Sequence, residues 1–250
     1  MPKAGLLRVN IRACDPANLG SADADLIGMG DDGFDYVIKT IEKTPNVPAS
    51  EWFCHRLAEL CGIVTPQYSI LDIPGKKPAF GSLYDSAFEK NESVIQDILF
   101  GKLKSNILAE RFSAIYAFDI FVHNDDRHFG NYMFTKAMTH GYSVKAFDFS
   151  RAWLHQGWPL PSLPLQPLCN TVVKFRELMQ HHQFDLKAAE VVLDKLSEIG
   201  ISSIQTIYNE MPHEWLSKNE RKIIIKWWSS KDRVNRIELV RGGLKNGSLL

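Results

Sequence analysis

Apolar and polar positions alternate first with the period of a strand. LLRVNIRA (6–13) alternates along its length, as a half-buried strand does. A polar stretch through Asp15, Pro16, Asn18, Gly20 and Ser21 interrupts it, and a short strand follows near 23–28. Asp32-Gly33 is a hairpin signal ahead of FDYVIKT (34–40). In that strand Phe34, Tyr36 and Ile38 face one way, and Asp35, Val37 and Lys39 the other. The period then lengthens. EWFCHRLAELCG reads as a helix with Ser50 as N-cap and Gly62 as its stop. Trp52, Phe53, Leu57, Leu60 and Cys61 form its apolar face, whereas Glu51, His55 and Ala58 fall on another. VTPQYSILDI (64–73) and PAFGSLY (78–84) return to strand patterning around a Pro-Gly-Lys-Lys turn.

Residues 85–103 carry no dominant period. From Ser105 to about Val122 the apolar residues wrap most of a helix, which marks a buried core element. HNDDRHFGN, too polar for a core, ends it; YMF and YSVKAF then read as short strands around a turn at His140-Gly141. WPLPSLPLQP (158–167) is a restricted loop. Leu186, Ala189, Leu193 and Leu196 keep helical spacing, Ser217 and Glu220 fit a capping box, and the tail RGGLKNGSLL shows no stable pattern. The pattern therefore predicts a small strand-rich part followed by a larger helical one, an α+β organisation.

The 250 residues are 45% hydrophobic with zero formal net charge, so nothing favours direct nucleic-acid binding. No apolar run reaches the ~20 residues of a membrane span, and the amino terminus lacks a secretory pattern. Cys14, Cys54, Cys61 and Cys169 form no CxxC pair; buried thiols and a reducing, cytoplasmic setting are expected. The expected life of the chain is away from membranes. His181-His182 diverge on a helix and suggest no metal site, and Trp227-Trp228 reads as core or interface.

Four features bear on chemistry: Lys39 on the strand VIK, Glu51 early in the next helix, Asp126 with Asn131 in DRHFGN, and Asp148 in FDFS. Singly each has a bland reading as a solvated lysine, a helix-start acid or turn residues. Asp148 among phenylalanines is harder to dismiss, because a charge beside apolar neighbours needs a partner. Together the four suit phosphoryl transfer. A strand lysine can hold phosphates and a helix glutamate can fix that lysine. An aspartate and an asparagine offer hard oxygen ligands for magnesium, and a second aspartate can take the acceptor's proton.

DxxxxN followed by a strand pair and DFS resembles the catalytic and metal loops of the protein-kinase-like fold, and DRHxxN is similar to that of phosphoinositide kinases. DDGFDYVIKT, SEWFCHRLAELCGIVTPQYSILDI, AFGSLY, AFDIFVHNDDRHFGNYMF and FDFSRAW together resemble the small HipA-like kinases over roughly residues 20–155. The resemblance implies a bilobal kinase domain, with a β-rich N-lobe over 1–84 and a mainly helical C-lobe over 85–250. It implies ATP and magnesium (Mg2+), transfer to serine or threonine of a protein, a translation-related protein as one candidate substrate, and an antitoxin protein as a candidate partner. Asp126 resembles the catalytic base, Asn131 and Asp148 the magnesium ligands, Lys39 the phosphate-binding lysine and Glu51 its helix partner. Val37 is expected against the adenine, with Phe80 and Gly81 on a hinge strand. Gly20 and Ser21, in NLGS, are expected over the phosphates, with Ser21 a candidate for autophosphorylation. Departures are Ser150, where the motif has glycine, and His123, three residues before Asp126. Gly28-Met29-Gly30-Asp31-Asp32-Gly33 matches GxGxxG, but no helix follows, against a dinucleotide fold. The alternatives are a lipid or small-molecule kinase and a non-catalytic nucleotide-binding module.

Overall fold

The structure, a computed structural model, describes residues 8–17, 26–84, 91–136, 141–157 and 160–250. Five strands come first: β1 (Arg8–Pro16), β2 (Leu26–Gly30), β3 (Asp35–Lys39), β4 (Tyr68–Asp72) and β5 (Ala79–Leu83). They close into a barrel in the order β1-β2-β3-β5-β4, with parallel β1–β4 pairing as the closing seam. Val9, Ile11, Tyr36, Ile38, Leu71, Ile73 and Ala79 fill its interior. The GxGxxG match is absorbed by this packing. A Cβ on Gly28 would sit 2.8 Å from Ile38 and 2.9 Å from Ile11, and Gly33 (φ 83°) makes the hairpin turn.

Helix α1 (Val47–Cys61) crosses outside the barrel between β3 and β4. Asn46, not Ser50, precedes its first residue, with Pro48 in the opening turn, where its missing N–H costs nothing. Gly62 ends it in the left-handed region, as expected. The expectation of one apolar face is corrected: Glu51 and His55 are as buried as Trp52 and Phe53, while Leu60 is exposed. The helix is enclosed because a single hydrophobic core runs from Ile70 and Phe80 on the barrel's outer surface, through α1, into the helices that follow.

Those helices are α2 (Asn91–Leu99), absent from the sequence reading, α3 (Asn106–Val122), α4 (Trp153–Gln156), α5 (Asn170–Met179), α6 (Leu186–Glu198), α7 (Ile201–Glu210), α8 (Lys218–Trp228) and α9 (Lys231–Lys245). Strands β6 (Tyr132–Lys136) and β7 (Tyr142–Ala146) form an antiparallel pair after α3. The capping box at Ser217 and Glu220 is present. Trp228 is buried against Phe53, Phe121 and Trp153. RGGLK, expected to lack structure, is the last turn of α9, held by buried Val240, Gly243 and Leu244. All four cysteines are free.

Candidate active site

Strand alternation sends Ile38 into the barrel and Lys39 out toward α1. There the Lys39 ammonium donates to Glu51 Oε1 at 2.6 Å and to Asp148 Oδ1 at 2.8 Å. Lys39 is 5% exposed and Glu51 1%. Burial alone would push Lys39 down, but the carboxylates of Asp148 and Glu51 outweigh it and hold the lysine firmly charged. Asp148 is held well below the usual carboxylate range; burial opposes this, but the Lys39 ammonium and the Ser150 hydrogen bonds prevail. Glu51 goes the other way. Burial pushes it up to about 7 despite Lys39, and among the described residues its Oε2 has no hydrogen-bond partner.

The segment after β7 is tied to α1 from both sides. The Phe149 N–H donates to Glu51 Oε1 (2.9 Å), and the Ser50 hydroxyl donates to the Phe149 carbonyl (2.8 Å). Asp148 itself adopts φ 60°, a left-handed conformation that is strained for a non-glycine residue. Ser150 does not carry a positive φ, so the loss of glycine there costs no backbone freedom. Its hydroxyl instead donates to Asp148 Oδ1 at 2.5 Å, and its N–H to the same oxygen at 3.3 Å.

The loop after α3 is built around a fully buried ion pair. Arg127 meets Asp119 through two bonds of 2.9 Å each. Its remaining nitrogen donates to the carbonyls of Asn131 (3.1 Å) and Phe147. One guanidinium thus clamps the two strands together at the open end of the β6–β7 ladder, and the Phe147 N–H to Asn131 carbonyl bond (3.3 Å) extends that ladder. Asn131 and Asp148 therefore emerge side by side from its open end. Asn131 Nδ2 donates to the Asp126 carbonyl at 2.9 Å. His123 ends α3 in the left-handed region and faces Arg236, whose guanidinium also donates to the Phe121 and Ile120 carbonyls. It braces α3 rather than touching Asp126.

Lys39, Glu51 and Asp148 thus share direct contacts, and Asp126 and Asn131 share a loop anchored to the same segment. Val37 lies half-buried on the Lys39 face of β3, opposite Ser82. The expectation for Phe80 and Gly81 is corrected. β5 is an interior strand, paired with β3 on one edge and β4 on the other, so neither residue has a free edge for a ligand. Phe80 packs against His55, and a Cβ on Gly81 would fall 2.2 Å from Leu71. Gly20 and Ser21 lie outside the described residues. Asp119, Asn170 and Thr171 escaped the sequence reading. Asp119 left a signal, a carboxylate in the apolar run AFDIFV, which demands a cation. Arg127, within the motif DRHFGN, is the clamp of the loop.

Two hard oxygens here, Asn131 Oδ1 and Asp148 Oδ2, are not used in the hydrogen bonds that hold these side chains to the described residues. Among the described residues no cluster of three or more His, Cys, Asp or Glu could hold a metal. One carboxylate and one amide are a sparse donor set. It fits magnesium, which keeps several waters and shares substrate phosphates, better than a metal needing a protein cage.

A family model described as HipA-like kinase matches residues 21–239. CtkA, a proinflammatory kinase of Helicobacter pylori, aligns with TM-score 0.64 at 14% identity over 94% of this chain and 97% of its own. HipA of a Shewanella oneidensis toxin–antitoxin system, solved with HipB and operator DNA, aligns with TM-score 0.47 at 12% identity, covering 83% of this chain and 60% of that one. No curated protein sequence matches. A family match spanning most of the sequence, on a fold shared with a kinase, places the chain in the HipA-like kinase family.

Proposed function

We propose that the protein transfers the γ-phosphate of ATP, with magnesium, to a hydroxyl, and that the acceptor is a serine or threonine of a protein. The observation that carries this is the buried Lys39 ammonium held by Glu51 at 2.6 Å and Asp148 at 2.8 Å. An ammonium has three donors. Two are spent on these carboxylates, and the third remains for a phosphate oxygen. Glu51 fixes the lysine from α1, and Val37 supplies an apolar surface for the adenine. On this reading the chain is one bilobal kinase domain, with 1–84 as N-lobe, 85–250 as C-lobe and α1 as the helix whose core joins them.

Asn131 and Asp148 would hold magnesium, which supplies charge neutralisation on the phosphates when bound. Asp126 orients the acceptor hydroxyl and takes its proton as the oxygen attacks the γ-phosphorus. The bond from that phosphorus to the bridging oxygen breaks, and ADP leaves with the electron pair. Arg127 touches no reacting atom; it fixes the carbonyls on either side of the two metal-binding side chains. The protein acceptor and an antitoxin partner rest on family resemblance. The four free thiols support a reducing, cytoplasmic setting.

The test is incubation with γ-labelled ATP and magnesium in the presence of separate protein, lipid and metabolite pools. Label on protein serine or threonine is expected. Label confined to lipid or metabolite would overturn the acceptor class. ATP-dependent thermal stabilisation without transfer to any pool would mark a nucleotide-binding module instead.

A further inference from the structure

Asp126 projects from a loop whose main chain is held by Asn124, His128 and Asn131. Among the described residues its carboxylate has a single hydrogen-bond partner, on a distant element: Asn170 Nδ2 donates to Asp126 Oδ1 at 2.6 Å, across 44 residues of sequence. Asn170 is the first residue of α5. The next residue, Thr171, is buried and stitches that helix end to the loop at Asn124, Asp125 and Arg127, on both sides of Asp126. Its hydroxyl donates to the Asn124 carbonyl (2.6 Å) and accepts from the Arg127 N–H (2.9 Å), and its N–H donates to the Asp125 carbonyl (3.3 Å). The start of α5 is therefore registered on the loop to within one residue, and Asn170 is exposed with its amide on the carboxylate.

We infer that Asn170 is a positioning residue for phosphate transfer: its amide ties down one oxygen of Asp126 so that the other is presented to the acceptor hydroxyl. This rests on the kinase reading above. A carboxylate on a part-exposed loop otherwise turns about its side-chain torsions, and each wrong rotamer takes the base out of line. An amide N–H can only donate, so it selects Asp126 as an acceptor at Oδ1 and leaves Oδ2 to receive the proton. Thr171 does for Asn170 what Asn170 does for Asp126.

The test compares wild type, Asn170→Ala and Asn170→Asp. Asn170 is exposed, so both variants should keep the wild-type melting temperature. Asn170→Ala is expected to lower kcat about 10- to 100-fold, the range for losing a hydrogen bond to a charged group, with the half-saturating ATP concentration unchanged. Asn170→Asp has the same shape but sets a carboxylate against Asp126, so its kcat should fall further. Independently of turnover, the side-chain amide resonance of Asn170 should move in Asp126→Ala. Wild-type kcat in Asn170→Ala, a rise in half-saturating ATP that matches the loss of kcat, or an unmoved amide resonance would each overturn the assignment. If wild type transfers no phosphate to any acceptor, the kinase reading fails, while the resonance still decides the contact.

Discussion

Lys39 and Asp148 stand 109 residues apart in sequence and meet at 2.8 Å. One comes from the barrel and the other from the turn after β7, so the contact exists only when barrel, α1 and helical part are assembled. Three charged groups share it, one ammonium and two carboxylates, with Lys39 and Glu51 buried and Asp148 half-buried. That balance explains why Asp148 and Glu51 depart in opposite directions. Asp148 also has the Ser150 hydroxyl and N–H, while Glu51 Oε2, 3.4 Å from His55 Nδ1, accepts no hydrogen bond among the described residues.

Lys39→Met removes the cation and leaves Glu51 and Asp148 facing each other in a buried site. Breaking such a pair costs about 3–5 kcal/mol, and phosphate transfer should be lost. The deficit depends on pH. Without the ammonium, both acids titrate above their unfolded values, so stability is full below the unfolded value and is lost as pH rises through the folded one. The gap in melting temperature from wild type is therefore expected to be larger at pH 8 than at pH 5.5. A gap that does not change with pH would contradict the shared-cation account.

Arg127→Lys keeps the charge but loses the planar fork. A lysine cannot bond both Asp119 oxygens and also the Asn131 and Phe147 carbonyls. Asp119 would keep a buried charge with fewer partners, and the two sides of the ladder would lose their common tie. Urea unfolding should report a loss of about 2–4 kcal/mol, and the half-saturating magnesium concentration should rise. Wild-type values for both would show that the clamp is dispensable.

His55 lies between Tyr68, Phe80 and Phe149, its Nδ1 on the Glu51 carbonyl and its Nε2 without a hydrogen-bond partner among the described residues. Burial pushes it down to about 3. The unfolded chain takes up a proton near the usual value of about 6.5 and the folded one does not. Stability is therefore present above that value and lost as pH falls toward 3. At about 1.4 kcal/mol per pH unit, the loss between pH 6.5 and 5 is roughly 2 kcal/mol. His55→Phe should remove it, seen as a smaller fall in unfolding free energy over that interval; an equal fall in both proteins would contradict it.

Gly81→Ala places a methyl within 2.2 Å of Leu71. Overpacking of this kind costs about 1–3 kcal/mol. If the glycine serves packing, Leu71→Ala in the same chain should recover part of the loss, giving a favourable coupling in the double-mutant cycle. Additive losses would mean that Gly81 is needed for something other than room.

Of the residues that meet at Lys39, Asp148 was legible alone, as a charge among phenylalanines; Lys39 and Glu51 were legible only jointly, through their order and spacing with DRHFGN and FDFS. What the pattern missed depended on neighbours it does not encode. PAFGSLY looks the same as an edge or an interior strand, and the β3 and β4 ladders decide which. Amphipathic reading assigns α1 one apolar face, but most of this helix is enclosed, so Glu51 and His55 are buried with the apolar residues, and only its end at Glu59 and Leu60 is exposed. RGGLK reads as a breaker, yet Gly243 admits Leu249, where a Cβ would lie 2.5 Å away, and the helix continues. Asn170 and Thr171 open an ordinary helix; only the folded chain brings them to Asp126.

The most direct measurement is γ-phosphate transfer from labelled ATP by wild type, Asp126→Ala and Asp148→Ala, with magnesium-dependent ATP binding measured alongside. Wild type should label protein serine or threonine, and both variants should not. Asp148→Ala alone should also bind ATP more weakly in magnesium. Transfer at the wild-type rate by purified Asp148→Ala would contradict the account at its centre.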